Sequence, residues 1–296
     1  MTSQSLRVCS LTACVALPAL AGCSVNSGTT PASGPAAVRE LTGATPDITL
    51  NYFGGTVLTV PKMYLIFWGF REYGDPDKVA KLLISYCKVI GGSAHDNIYT
   101  QYYETAGGST IYIANPKNQC GGWWYDEKHP VPMNPTDAQV AHEAQGGVSH
   151  FGYNPSGSYV VVTPAGRNSA GFGTQWCAYH SASYSGGKRV SYTNLPYMPD
   201  AGSNGCGNNA LYPPPKDELG IDEGVTIIEG REYGESITDP TPGSGWYNFN
   251  YGEIGDMCSW TLHGIQELAN DRFRNKVYTT QAMFSNATQS CVQGYK

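Results

Sequence analysis

The chain has 296 residues, a formal net charge of -6 and only 14% charged residues, a length that suits one core of ordinary size. No basic stripe is present, so nucleic acid is excluded as a partner. With 36 Gly, 19 Pro and 21 Tyr, strands and long ordered loops are expected rather than a helical bundle.

Residues 1–22 read as a lipoprotein signal peptide: Arg7 supplies the positive end and "VCSLTACVALPALAG" the apolar core. It runs into "LAGC" at Leu20 to Cys23, which resembles the bacterial lipobox, where the cysteine is lipidated and becomes the first residue of the mature chain. The alternative is a plain cleaved secretory signal ending near a Cys. Either takes the protein out of the cytoplasm, to the cell envelope as a lipid-anchored protein or into the medium. Ser24 points weakly to the outer membrane. Residues 23–44 are mostly Ser, Thr, Gly, Pro and Ala and bury too little apolar surface to order themselves, so they form a flexible tether. No later run approaches the roughly 20 apolar residues of a membrane helix, so any membrane attachment is through lipid alone.

The domain is expected over 45–296. It opens with "ITLNYFGGTVLTVPKMYLIFWG", two β-rich runs broken by Gly54-Gly55 in the manner of a hairpin, the second run being a central strand. "DPDKVAKLLISYCKVIGG" has helical spacing at Val79, Leu82, Leu83 and Tyr86, with Asp75 or Asp77 as its cap. "STIYIANP" and "SYVVVTPAG" are strands, and "TDAQVAHEAQGG" between them is a helix capped by Thr136 or Asp137. From Thr174 to Pro215 the chain reads as a long stabilised functional loop without a helix. Alternating strands and helices give an α+β layer fold with a mixed sheet.

Setting aside Cys9, Cys14 and Cys23 leaves Cys87, Cys120, Cys177, Cys206, Cys258 and Cys291, an even set in an exported chain and so a disulfide framework. No two are spaced as a C-x-x-C zinc knuckle. Order along the chain suggests 87 with 120, 177 with 206 and 258 with 291, although six cysteines allow 15 pairings.

The stretch "IIEGREYGESITDP", residues 227–240, has the form of a metallopeptidase helix. Positions 231 and 235 are four apart and share a face, with Glu232 beside the first. In H-E-x-x-H the i and i+4 side chains hold zinc and the Glu is general base; a carboxylate is an accepted substitute for the second His. "GEIGDMC" follows, with Glu253 and Asp256 as a third ligand and a supporting carboxylate. "HEAQG" at 142–146 repeats half of the zinc motif, but its i+4 residue is Gly146, so it is set aside as a decoy. There is no G-x-S-x-G elbow or Walker loop. Paired carboxylates with aromatic clusters such as "GGWWYDE" at 121–127 also allow carbohydrate binding, against the plainer role of packing.

The motifs "REYGESITDP", "GWY" at 245–247, "GEIGDMC" at 252–258 and "FSNATQSC" at 284–291 together resemble a group of exported zincin-like metallopeptidases of bacteria and fungi, distantly similar to the plant phosphate-induced exordium proteins. "YLIFWG", "TQYY", "CAYHS" and "YTNLPYMPDAG" extend the resemblance from about residue 60 to the C-terminus. It implies a zincin-like domain with an active-site helix and long disulfide-stapled loops. In that family the first motif position is His, Glu232 corresponds to the general base, Glu235 to the second ligand and Glu253 to the third. The substrate class is peptide or protein.

Here residue 231 is Arg, which keeps its proton and offers only donors, so it cannot ligate a cation. It can instead pair with Glu235 or Glu253 and fill the site. Three readings follow: a zinc-deficient pseudoenzyme, a zinc site completed by another His, foremost His180 of "CAYHS", or a carboxylate cluster that never held metal. His263 is expected at the surface. The competing function class is a non-catalytic cell-surface protein that binds a peptide, a cell-wall component or an extracellular polymer.

Overall fold

The computed structural model describes residues 48–211, 220–259, 268–274 and 276–296. The expectations for the signal peptide, the tether, Cys23 and His263 lie outside these residues. Among them, no helix is long and apolar enough to cross a membrane.

A five-stranded mixed sheet organises the domain. Its strands are β1 (Lys62–Trp68), β2 (Cys120–Asp126), β3 (Gly157–Val162), β4 (Tyr179–Ser185) and β5 (Lys188–Leu195), in the spatial order β2-β1-β3-β5-β4. β1 pairs in parallel with β2 and β3, β3 with β5 in parallel, and β4 is an antiparallel edge. Side chains alternate between faces with period two. Leu65, Phe67, Val160 and Val162 join one hydrophobic cluster, while Ile66, Trp68, Tyr159 and Val161 join the other. Both faces are therefore buried, which is why β1 reads as a nearly unbroken apolar run.

Three helices cover the sheet. α1 (Val79–Ile90) and α3 (Glu223–Thr238) contribute to the first cluster, α2 (Asp137–Phe151) to the second. The start of α1 is fixed by Asp75, whose carboxylate accepts from the amides of Val79 at 2.7 Å and Ala80 at 3.1 Å. α2 begins with a capping box between Thr136 and Gln139. α3 is the unusual one. Of its sixteen residues only Arg231 is not buried, although the helix carries Glu223, Glu229, Glu232 and Glu235. Carboxylates inside a core need partners or protons, so α3 is where chemistry is to be sought.

Two expectations fail. Gly54-Gly55 does not turn a hairpin: Asn51–Tyr52 pairs with Trp246–Tyr247 instead. Gly55 is needed because a Cβ there would lie 2.5 Å from the Ser244 carbonyl oxygen, so the glycine permits a close crossing of two distant segments. The long loop from Thr174 also contains β4 and β5, joined at Gly186 and Gly187 with φ of 57° and 77°. Two positive φ angles in succession make the two-residue turn that matches strand twist. "STIYIANP" does supply a strand, Ser109–Tyr112, but it pairs with Tyr103–Ala106 outside the main sheet.

The three cystines join Cys87 to Cys120, Cys177 to Cys206 and Cys258 to Cys291, the pairing that chain order suggests. They fit an extracellular or envelope protein. The architecture is mixed α/β with a mixed sheet and disulfide-stapled loops.

Candidate metal centre

Three parts of the chain converge beside α3. The helix presents Arg231, Glu232 and Glu235, and the edge strand β4 presents His180. The turn after Tyr251 presents Glu253 and Asp256. His180, Glu232 and Glu235 are almost wholly buried, at 6%, 2% and 2% exposure.

Each supporting segment has a local cause. At the end of α3, Asp239 gathers the amides of Gly243, Ser244 and Gly245 at 2.6, 3.1 and 2.7 Å. That turn aims the Asp239 carbonyl at His180 Nε2, 3.0 Å away. The "TDP" and "GWY" motifs therefore orient the imidazole. In "GEIGDMC", Gly255 lets the backbone reach the helix, since a Cβ would stand 2.6 Å from Arg231 Cγ and 2.7 Å from Glu235 Oε1. Gln281 Nε2 donates to the Gly255 carbonyl at 2.8 Å, and the Cys258–Cys291 cystine anchors the far end of the turn.

The carboxylates of α3 divide their oxygens. Glu232 Oε1 is 3.5 Å from Arg231 Nη1 while its Oε2 is 3.5 Å from His180 Nδ1. Glu235 Oε1 is 3.2 Å from Arg231 Nε while its Oε2 is 3.8 Å from the same His180 nitrogen. Arg231 continues to Asp256 through Nη2, and His180 Nε2 continues to Glu253 at 3.3 Å. The cluster thus has an arginine side and a histidine side, with Glu232 and Glu235 between them.

Two overlapping sets of donors result. One atom each from His180, Glu232 and Glu235 lies within 4.8 Å of the others, and so does one each from Glu235, Glu253 and Asp256. Buried His and acidic groups here can hold a metal ion. In the second set Arg231 already bridges Glu235 and Asp256, doing the charge-balancing that a cation would do. In the first, Arg231 pairs with Oε1 of Glu232 and of Glu235, and their Oε2 atoms face His180 Nδ1.

The charges explain how the cluster survives burial. Burial opposes ionisation of His180, but the surrounding Glu253, Glu232 and Glu235 outweigh it and hold the imidazole well above its usual range. Burial also opposes charge on Glu232, yet the His180 hydrogen bond and the Arg231 charge keep its carboxyl below the ordinary value. For Glu235 burial wins: despite Arg231, it and the neighbouring acids push the carboxyl well up. Glu253 is raised by burial against the pull of His180. Protons therefore make up the positive charge that Arg231 alone does not supply.

All the residues marked by sequence meet here: Arg231, Glu232, Glu235, Glu253, Asp256 and His180. Glu232, expected as base, faces His180 as Glu235 does, and Glu253 approaches the opposite ring nitrogen. The contribution of Asp239 was missed; its signal was the "TDP" that directly follows the helix. Two cavities of about 350 and 370 Å³ flank the Cys177–Cys206 cystine, and both meet the cluster at Arg231.

No protein-family model matches this chain, and no curated protein or solved structure matches it either.

Proposed function

We propose that the domain is an exported, zinc-peptidase-like module of the cell envelope that has lost peptidase chemistry and acts by binding a peptide or an envelope polymer. One observation carries this: Arg231 stands at the first ligand position of the zinc-type helix and is itself ion-paired to Glu235, Glu232 and Asp256. A guanidinium so placed repels a divalent cation from the Glu235–Glu253–Asp256 set. The zincin-like ancestry and the lipid anchor at Cys23 belong to this proposal as readings of the sequence motifs. β4, an edge strand of the sheet among the described residues that lies next to the cluster and the Cys177–Cys206 cystine, supports an extended peptide as the bound partner, because edge strands in general offer backbone groups for pairing.

A second reading is favoured by the His180 side. Donors bound tetrahedrally to one zinc at about 2.1 Å stand about 3.4 Å apart, close to the 3.5 and 3.8 Å from His180 Nδ1 to Glu232 and Glu235. A ligating His usually donates its other ring N–H to a carbonyl or carboxylate, as His180 Nε2 can to Asp239. On this reading zinc is held by His180, Glu232 and Glu235, and Arg231 braces the far carboxylate oxygens.

Metal analysis of the mature protein and of His180→Ala separates the two, alongside a peptidase assay on the native chain. The first reading expects the His180→Ala variant to hold as much zinc as the native chain, and no cleavage of peptides. Zinc that is lost with His180→Ala supports the second, and peptide cleavage would sink the first.

A further inference from the structure

The opposite face of the sheet carries a separate cluster, distinct from the α3 site. β2 ends at Asp126, which is fully buried, and three residues later His129 turns back so that its Nδ1 lies 2.8 Å from Asp126 Oδ2. Glu143, from the middle of α2, brings Oε2 to 3.9 Å from the same nitrogen. One donor atom from each of the three lies within 4.8 Å of the others.

The three are held by their surroundings. Asp126 Oδ1 accepts the Lys128 amide at 2.9 Å, and the Asp126 carbonyl accepts Gly69 N–H at 2.7 Å. The His129 carbonyl accepts from the Trp68 indole at 2.8 Å. Asp126 is thus satisfied, but Glu143 is not: it is 2% exposed and its Oε1 has no hydrogen-bond partner among the described residues. Two carboxyls thus lie buried side by side, one of them with an oxygen that no group among the described residues satisfies.

Access exists from one side. His129 is 54% exposed and opens on a cleft of about 580 Å³ that Trp124, Lys128, His142 and His150 also line. The His142 ring faces His129 at a centroid distance of 6.4 Å.

We propose that Asp126, His129 and Glu143 form a second site, for a divalent transition-metal ion with zinc-like ligand preference. One imidazole with two carboxylates is a donor set that such ions accept, with solvent completing the coordination from the cleft. The cation takes the place of the proton shared by His129 Nδ1 and Asp126 Oδ2 and brings Glu143 into the charged pair. The "HEAQG" segment then supplies one of the three ligands, Glu143. Its missing partners come from the end of β2 rather than from position 146.

The test is equilibrium dialysis of the mature protein against ZnCl₂ at neutral pH with metal analysis, on the native chain, His129→Ala, Glu143→Gln and His180→Ala. His129 is half exposed and Glu143→Gln keeps the side-chain shape, so both variants are expected to fold, as circular dichroism checks. One zinc per chain is expected that weakens about 100-fold or more in His129→Ala and in Glu143→Gln, yet persists in His180→Ala. That last variant keeps failure of this site distinct from failure of the α3 site. Equal zinc binding in the native chain, His129→Ala and Glu143→Gln overturns the proposal. So does binding abolished by His142→Ala or His150→Ala but indifferent to Glu143→Gln, which would mark simple capture by surface histidines. No zinc at this site in the native chain at about 100 micromolar free zinc, which would saturate a site of micromolar Kd, overturns it equally.

Discussion

Arg231 Nε lies 3.2 Å from Glu235 Oε1, across the i to i+4 spacing at which a zinc helix would hold its metal. The arginine is therefore an occupant of the site. Replacing it by Leu removes the guanidinium that faces Glu232, Glu235 and Asp256, and removing one partner of a buried charge pair costs about 3–5 kcal/mol. Arg231→His is shorter and restores a metal-ligand side chain. Chemical denaturation in a Glu143→Gln background, which removes the second site, is expected to show both variants destabilised when metal-free, with only Arg231→His recovering on addition of Zn²⁺. Recovery of both, or of neither, contradicts the assignment of position 231 as a ligand position.

His180 touches Glu232 through one ring nitrogen and Glu253 through the other. With its ring raised well above the usual range, the metal-free protein is expected to hold an imidazolium at pH 7.5. The sign follows from linkage: a raised folded value gives stabilisation that is complete below about 6.5, the ordinary His value, and is lost as pH climbs through the folded value. Nitrogen-15 NMR of the ring is the measurement. Two protonated nitrogens at pH 7.5 are expected; a neutral ring with a bare Nδ1 favours the zinc-holding reading instead.

Much of this site could be read from sequence because its residues sit in short contiguous motifs. The spacing from 231 to 235 fixes a helical face whatever surrounds it, and "GEIGDMC" keeps Glu253 and Asp256 together. What could not be read is which motifs meet. His180 stands out in "CAYHS", yet its strand lies inside a stretch that reads as loop, because "YHSASYSGGKRVSYTNL" has small polar residues where strands usually show aliphatic ones. The Gly186-Gly187 turn was the available signal. The Asp126–His129–Glu143 cluster was hidden for a different reason: its third member comes from another element, and only the packing of α2 on the sheet brings them together.

α3 lies close to its neighbours through glycines. A Cβ at Gly230 would sit 2.6 Å from Tyr86 Oη, and one at Gly234 would sit 2.5 Å from Tyr99 Oη. Alanine normally favours a helix by up to about 1 kcal/mol over glycine, but here overpacking against two fully buried tyrosines costs about 1–3 kcal/mol. Gly230→Ala is thus expected to lower the melting temperature, and to recover when combined with Tyr86→Phe, which removes the clashing oxygen and leaves the nearest ring carbon at 3.7 Å. A stabilised single variant would show that α3 has room to move outward.

Glu229, like Glu223, is a carboxyl of α3 that takes no part in the cluster. It is 0% exposed, both its oxygens are without hydrogen-bond partners among the described residues, and burial followed by the Glu232 charge holds it well above its ordinary range. A folded value above the unfolded one means that the native state binds more protons, so stability falls as pH rises from about 4.5, the ordinary Glu value, through the raised one. Glu229→Met fills similar space and removes the ionisable group. Thermal unfolding is expected to show the variant more stable than the native chain at pH 8, with the gap narrowing steadily toward pH 5. Equal stability across that range would mean that Glu229 is solvated or paired in solution, and a variant less stable at pH 8 would mean that its charge is used.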